Sequence, residues 1–201
     1  MSTGTQLGTD FQDALRYAVV AHDGQKRKAT EIPYAAHLLA VSALVLEAGG
    51  TEVQAIAALL HDAPEDCGGQ PRLDDIRRLF GGEVGDIVEA CSDSLAEDAA
   101  EKAPWKDRKK KYLKHLRTAD ADVLLVSLAD KLHNASAIMR DLRAVGVTVF
   151  ERFNAGRSGT LWYYRRLVKE FDARRADLTP GGRVLLKELR RTVNEIDKRS
   201  N

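Results

Sequence analysis

Cysteine is scarce. Cys67 and Cys91 are the only two among 201 residues, which excludes a disulfide framework. Five prolines and 15 glycines are too few for a fibrous or low-complexity chain. Neither sign of charge is in excess. Thirty-one basic residues face 30 acidic ones, for a formal net charge of +1, so whole-chain charge gives no ground for a nucleic-acid or membrane partner. Long apolar runs are missing too. Stretches such as Ala55–Leu60 and Val123–Val126 fall far short of the roughly 20 residues that span a bilayer. The first ten residues are polar, so no secretory signal is expected and the protein is expected to be cytoplasmic. No strand-like alternation, hairpin turn or internal repeat stands out.

What is present is helical. With 44% hydrophobic and 30% charged residues the chain is globular, and its length suits one domain over 1–201. Phe11, Leu15, Ala18, Val19 and His22 recur on one helix face. Pro33 opens a second helix carrying Leu38, Val41, Leu44 and Val45, which Gly49-Gly50 closes. Thr51 with Gln54 spells a capping box for a third, running into His61-Asp62. Short helices follow over about 73–80 and 83–91. An acidic, weakly patterned stretch from Ser92 to Glu101 reads as a mobile loop. Further helices begin near Pro104, span about 120–143, include Leu161 to Phe171, and restart at Thr179-Pro180. Val123–Val126 has strand composition but continues a longer helical pattern, so it is read as helix. The expectation is an all-α helical bundle of eight or nine helices.

Five histidines occur, and their settings differ. His61-Asp62 closes an apolar helix. Adjacent helical residues point about 100° apart, so both reach one ion only if it sits in the wedge between them. Alone, such a pair is more often a helix end with a capping histidine and a solvated aspartate. It has company, however. His37 lies in an apolar helix, and Asp130 ends the apolar run from Val123 to Ala129, where an unpaired carboxylate is costly. A shared cation satisfies these groups most economically, and the donor set suits Mn²⁺, Fe²⁺, Co²⁺ or Zn²⁺. Glu65 stands four residues after His61, on nearly the same face if the helix continues, with Asp66 beside it. Carboxylates beside a metal are natural general bases, although an acidic helix end is the plainer reading.

The remaining candidates read more plainly. His22 is expected packed or on the surface, and His115 exposed. His133, three residues after Asp130, is expected either to orient it or to be structural. Eight basic residues between Lys102 and Arg117 read mainly as a solvated face, with Arg108 or Lys109 the ones to turn toward an anionic ligand.

Four motifs carry a resemblance. They are Ala21-His22-x-Gly24-Gln25-x-Arg27-Lys28, Pro33-Tyr34-x-x-His37, Leu59-Leu60-His61-Asp62-x-x-Glu65-Asp66, and Leu128-Ala129-Asp130-Lys131-Leu132-His133-Asn134. In this order, over residues 14–140, they resemble the HD-domain hydrolases of the RelA/SpoT-homologue group in its small single-domain form. The resemblance implies a helical, Mn²⁺-dependent enzyme that removes the 3′-pyrophosphate from the alarmones ppGpp and pppGpp. It implies His37, His61, Asp62 and Asp130 as metal ligands, Glu65 and Asp66 as the catalytic acidic pair, Arg27 and Lys28 as nucleotide-pocket bases, and Asn134 near the ribose. Other HD-type nucleotide phosphohydrolases are the alternative: an adenosine alarmone hydrolase, a nucleotidase or a phosphodiesterase. A non-catalytic nucleotide sensor is a third. Pro64 departs from the family's usual aliphatic residue and implies a bend between the two acidic motifs. The tail helices, about 158–198, with Trp162-Tyr163-Tyr164-Arg165-Arg166, are expected to complete the base pocket.

Overall fold

The structure, a computed structural model, describes residues 4–95 and 103–200. The loop expected over Ser92–Glu101 lies outside the described residues from position 96 on, as does Lys102. Ten α-helices occur among the described residues: α1 (Thr9–Ala21), α2 (Ala35–Glu47), α3 (Glu52–Leu60), α4 (Ala63–Asp66), α5 (Gly69–Phe80), α6 (Gly82–Cys91), α7 (Trp105–His115), α8 (Ala121–Val145), α9 (Gly156–Ala173) and α10 (Pro180–Ser200). The fold is all-α. The helix beyond the expected eight or nine is α4, a single turn that sequence periodicity merges with α3.

α8 is the axis of the molecule, contacted by α2, α3, α6, α9 and α10. Val123 to Asp130 are buried in eight successive positions, so this half of α8 is enclosed on all sides. That explains the strand-like composition of Val123–Val126: β-branched and leucine side chains here fill a core around a helix. α3 is buried from Gln54 to Leu60. Its start is the expected capping box, with Thr51 Oγ1 accepting from the Gln54 amide and Gln54 Oε1 accepting from the Thr51 amide at 2.7 Å. α2 begins at Ala35 rather than Pro33, whose carbonyl instead accepts the Ala36 amide.

α4 exists as a separate turn because of Pro64. Its missing N–H interrupts the hydrogen-bond ladder after Leu60 while the backbone at His61 and Asp62 stays right-handed. Thr179 caps α10 as expected, its Oγ1 accepting the Gly182 amide at 2.9 Å. The start of α10 rests on the end of α2. There a Cβ on Gly181 would lie 2.2 Å from the Ala48 carbonyl oxygen. Backbone cannot yield as a side chain does, so Gly181→Ala should destabilise the protein by about 1–3 kcal/mol, the usual cost of overpacking. Urea denaturation would show this as a lower midpoint at unchanged slope; an unchanged midpoint would mean that α10 shifts freely.

Candidate metal centre

Three helices deliver four side chains to one point. α8 contributes Asp130, α2 contributes His37, and the end of α3 contributes His61 and Asp62. His37 Nε2 lies 3.4 Å from Asp62 Oδ2 and 3.2 Å from Asp130 Oδ1. His61 Nε2 lies 3.0 Å and 3.7 Å from the same two oxygens. Despite this proximity neither Nε2 makes a hydrogen bond among the described residues, and both are buried. Ligand atoms of His37, His61 and Asp62 fall within 4.8 Å of one another. Buried nitrogens that face oxygens without bonding them are what a shared cation resolves. The imidazole and carboxylate set therefore fits a divalent transition metal.

The surrounding groups prepare these atoms for that role. His61 Nδ1 donates to the Ala58 carbonyl at 2.8 Å, which makes Nε2 the nitrogen that gives up its proton to a cation. His37 Nδ1 lies 2.7 Å from His133 Nδ1, and one of the two must donate. Burial, then the positive charges of His37, Arg27 and Arg140, push His133 down to about 4. Neutral His133 can accept from His37, freeing His37 Nε2 in turn. Its partner is thus His37, not Asp130 as the i+3 spacing suggests. Tyr34 donates its hydroxyl to Asp62 Oδ2 at 2.6 Å. Asp130 accepts from Lys131 Nζ at 2.6 Å and from Asn134 Nδ2. Burial alone would raise both aspartates. The imidazoles of His61 and His37 outweigh it at Asp62, and Lys131 with the same imidazoles outweighs it at Asp130, so both stay well below the ordinary carboxylate range.

The acidic pair is split. Glu65 turns toward the segment after α6 and the first turn of α7: its Oε2 accepts the Asp93 amide at 3.0 Å, and Arg108 approaches its Oε1 to 3.5 Å. Burial, then the charges of Asp93 and Asp62, raise the Glu65 carboxyl against the pull of Lys109. Asp66 is exposed and turns the other way, accepting from Gln25 Nε2 at 2.9 Å. His22 belongs to that second side. It is buried, bonds Gln25 at 2.7 Å and stacks on Tyr34 with ring centroids 4.9 Å apart. His115 is exposed, as expected.

A cavity of about 470 Å³ opens beside the cluster, within the range of small-molecule sites. His37, Arg27, Lys28, Asn134, Lys109 and Lys131 are among its walls. Arg27 Nη2 donates to Asn134 Oδ1 at 2.6 Å, so the nucleotide candidates connect directly to Asp130. Lys28 reaches Asn154 at 3.4 Å. Arg27 and Lys28 stand on a closed turn. Lys26 and Pro33 form an antiparallel bridge, Arg27 N donates to Ile32 O at 2.8 Å, and Tyr34 N donates to Gln25 O at 2.9 Å. Ala29 at its tip takes φ +55°. Of the five aromatic and basic residues from 162 to 166, Tyr163 and Tyr164 line the cavity. Sequence reasoning missed Tyr34 and Asp93, whereas Tyr163 lies in the stretch expected to complete the base pocket. Tyr34 stands inside a quoted motif three residues before His37. Asp93 lies in a stretch without periodicity and gave no signal.

Two outcomes follow from this geometry. Burial works against charge on His61, but Asp62 and Asp130 overcome it and hold the imidazole well above its ordinary range. A cation must therefore displace a proton from the metal-free cluster. Mn²⁺ titrations in buffers of different ionisation enthalpy should show about one proton released per ion at neutral pH, with affinity falling as pH falls. Zero release would contradict a protonated His61. Second, His133→Ala should weaken Mn²⁺ binding by roughly 10–100-fold, the usual worth of a group that orients a ligand histidine. Calorimetry reads it directly, and unchanged affinity would make His133 structural only.

Comparisons place this geometry among known proteins. The family model described as "HD domain" matches residues 14–161. A GTP pyrophosphokinase of Streptomyces antibioticus is 37% identical over 142 residues, which make up 71% of this chain and 15% of that protein. The bifunctional (p)ppGpp synthase/hydrolase SpoT of Escherichia coli K12 is 33% identical over 140 residues, 65% of this chain and 19% of that one. The chain thus spans less than a fifth of each of these relatives. A solved structure described as a metazoan ortholog of SpoT that hydrolyzes ppGpp superposes with TM-score 0.70 at 28% identity, over 94% of this chain and 97% of that one.

Proposed function

The chain belongs to the HD domain family, and from that premise we propose that it is a metal-dependent hydrolase that removes the 3′-diphosphate from guanosine tetra- and pentaphosphate. The observation that carries the reading is the pair of buried, unbonded Nε2 atoms converging on Asp62 and Asp130 at the wall of a cationic, nucleotide-sized cavity. The near full-length likeness to a ppGpp-hydrolysing SpoT ortholog supports the substrate.

In this reading His37, His61, Asp62 and Asp130 hold Mn²⁺. When bound, the ion supplies Lewis-acid stabilisation of the diphosphate and lowers the pKa of water. Glu65 accepts the proton of the attacking water as its oxygen adds to the phosphorus bonded to the 3′ oxygen; the P–O3′ bond breaks and the leaving 3′ oxygen takes up a proton. The Asp93 amide and Arg108 hold this carboxylate in place, and its raised basicity suits proton transfer. Asp66, turned toward Gln25, supports from the other side of α4. Arg27 and Lys28 offset the nucleotide's phosphate charge, and Asn134 meets the ribose. The products are GDP or GTP and pyrophosphate. The substrate is taken to be a free nucleotide in the cytoplasm, with no nucleic-acid or membrane partner; among the described residues no helix is long and apolar enough to cross a membrane.

The test is incubation with Mn²⁺ and a panel of 3′-diphosphorylated and ordinary nucleotides, with products resolved. Intact pyrophosphate should leave the 3′ position while the 5′ phosphates remain. Release of single phosphates, or equal cleavage of 5′ chains, would replace this reading by a general nucleotidase. Glu65→Gln should lower single-turnover rates by roughly 10²–10⁴-fold while Mn²⁺ and nucleotide affinities change little. A rate that survives would remove Glu65 from the chemistry.

A further inference from the structure

Gln25 stands where two sides of the site meet. Its backbone closes the turn that carries Arg27 and Lys28: its carbonyl accepts the Tyr34 amide at 2.9 Å, and its own amide donates to the His22 carbonyl at 3.0 Å. Its side chain leaves the turn and reaches α4, 41 residues further along the chain, where Nε2 donates to Asp66 Oδ2 at 2.9 Å. Gln25 is not among the described residues that wall the cavity, and nothing in the proposed chemistry uses its side chain.

The partners decide which way this amide points. A carboxylate only accepts, so the NH2 group faces Asp66 and Oε1 faces His22. His22 Nδ1 lies 2.7 Å from that oxygen and is therefore its donor. His22 is 4% exposed, and its Nε2 has no partner among the described residues, so the ring commits its proton to Gln25. Stacking on Tyr34, with centroids 4.9 Å apart, restrains the plane of the imidazole. A buried, stacked histidine fixes an amide, and the amide fixes a carboxylate. The carboxylate needs fixing. Asp66 stands one helical turn beyond a candidate ligand, its amide donating to the Asp62 carbonyl at 3.0 Å. Burial, then the charges of Asp62 and Asp66, push the Tyr34 phenol up, so Asp66 bears on the hydroxyl that bonds Asp62. Yet Asp66 is exposed, on a single turn that Pro64 separates from α3. An exposed aspartate there has several staggered rotamers open to it, and a bond from a braced amide selects one.

We propose that Gln25 is a positioning residue, whose side-chain amide, braced by His22, holds the Asp66 carboxylate in one rotamer and ties α4 to the turn that carries Arg27 and Lys28. The assignment rests on the hydrolase reading and adds to it a residue that acts through Asp66. It keeps the acidic turn and the phosphate-binding turn at one spacing.

The experiment compares the full chain with Gln25→Met, which keeps the length and loses both amide bonds, with Asp66→Asn, and with the double variant. At saturating Mn²⁺ and ppGpp, Gln25→Met should lower the single-turnover rate by roughly 10–100-fold, the worth of a hydrogen bond to a charged group. Mn²⁺ and GDP affinities, read by calorimetry, should change little, because main-chain bonds still close the turn. In the Asp66→Asn background the same change should cost almost nothing further, since a residue that acts through Asp66 has nothing left to place. An equal loss in both backgrounds overturns the proposal, because it marks a general structural role. So does an unchanged rate, and so does a variant that melts earlier and loses GDP binding with the rate. A second measurement needs no turnover. In the metal-free parent, NMR should show one proton of the Gln25 side-chain amide shifted downfield, and Asp66→Ala should remove that shift. An amide that resonates like a solvated one in the parent overturns the tie. A parent with the bonded amide that leaves ppGpp intact refutes the hydrolase reading and keeps the tie, whereas ppGpp cleavage with a solvated amide does the reverse.

Discussion

An aspartate at the centre of an enclosed helix is the constraint around which this molecule is organised. Asp130 ends a run of eight buried positions in α8, the helix that most of the others touch. An ionised carboxylate in such a place is tolerable only with compensating charge and hydrogen bonds. Lys131 and Asn134 supply part of the compensation from α8 itself, and His37 and His61 bring imidazoles from two neighbouring helices. The packing of α2 and α3 against α8 is therefore also the assembly of the candidate metal centre. Core and site share the same helices, which explains why so much apolar surface on α3 is committed to holding one histidine and one aspartate at its end.

The same economy extends outward. Asn134 connects Asp130 to Arg27, and Tyr34 connects Asp62 to the stacked His22. Both connections lead to the segment between α1 and α2. On the other side Glu65, Asp93, Arg108 and Lys109 form an ionic group between α4 and α7, where Lys109 bonds Asp93. The break at Pro64 separates these two sides. One acidic residue faces each, and the proline that departs from the family pattern is the joint between them.

Much of this was legible in the chain. Helical periodicity, the Thr51–Gln54 box and the Thr179-Pro180 start depend on local chemistry, and local chemistry is written in neighbouring residues. The four candidate ligands could be singled out because each is a polar residue in an apolar helix. Other features were less accessible. Helical spacing offers His133 either as a partner of Asp130 or as a structural histidine, but the nitrogen it meets belongs to His37 on another helix, which no spacing within α8 reveals. The divergence of Glu65 and Asp66 depends on how one missing amide reshapes a turn, and the consequence of Pro64 was foreseen only as a bend. Asp93 comes to the site through tertiary packing alone, from a segment without period.

Under the proposed function, the turn that carries Arg27 and Lys28 has a kinetic meaning. Cross-bonded at its base between residues 25 and 34, and held at its tip in a conformation alanine seldom adopts, it has its backbone shape before any nucleotide arrives. Docking then immobilises side-chain rotamers at roughly 0.5–1.5 kcal/mol each, without the larger entropy of ordering a loop. No folding step stands between encounter and capture on this side of the cavity. Association is consequently governed by diffusion and by the orientation of the incoming phosphates rather than by waiting for the protein to take shape.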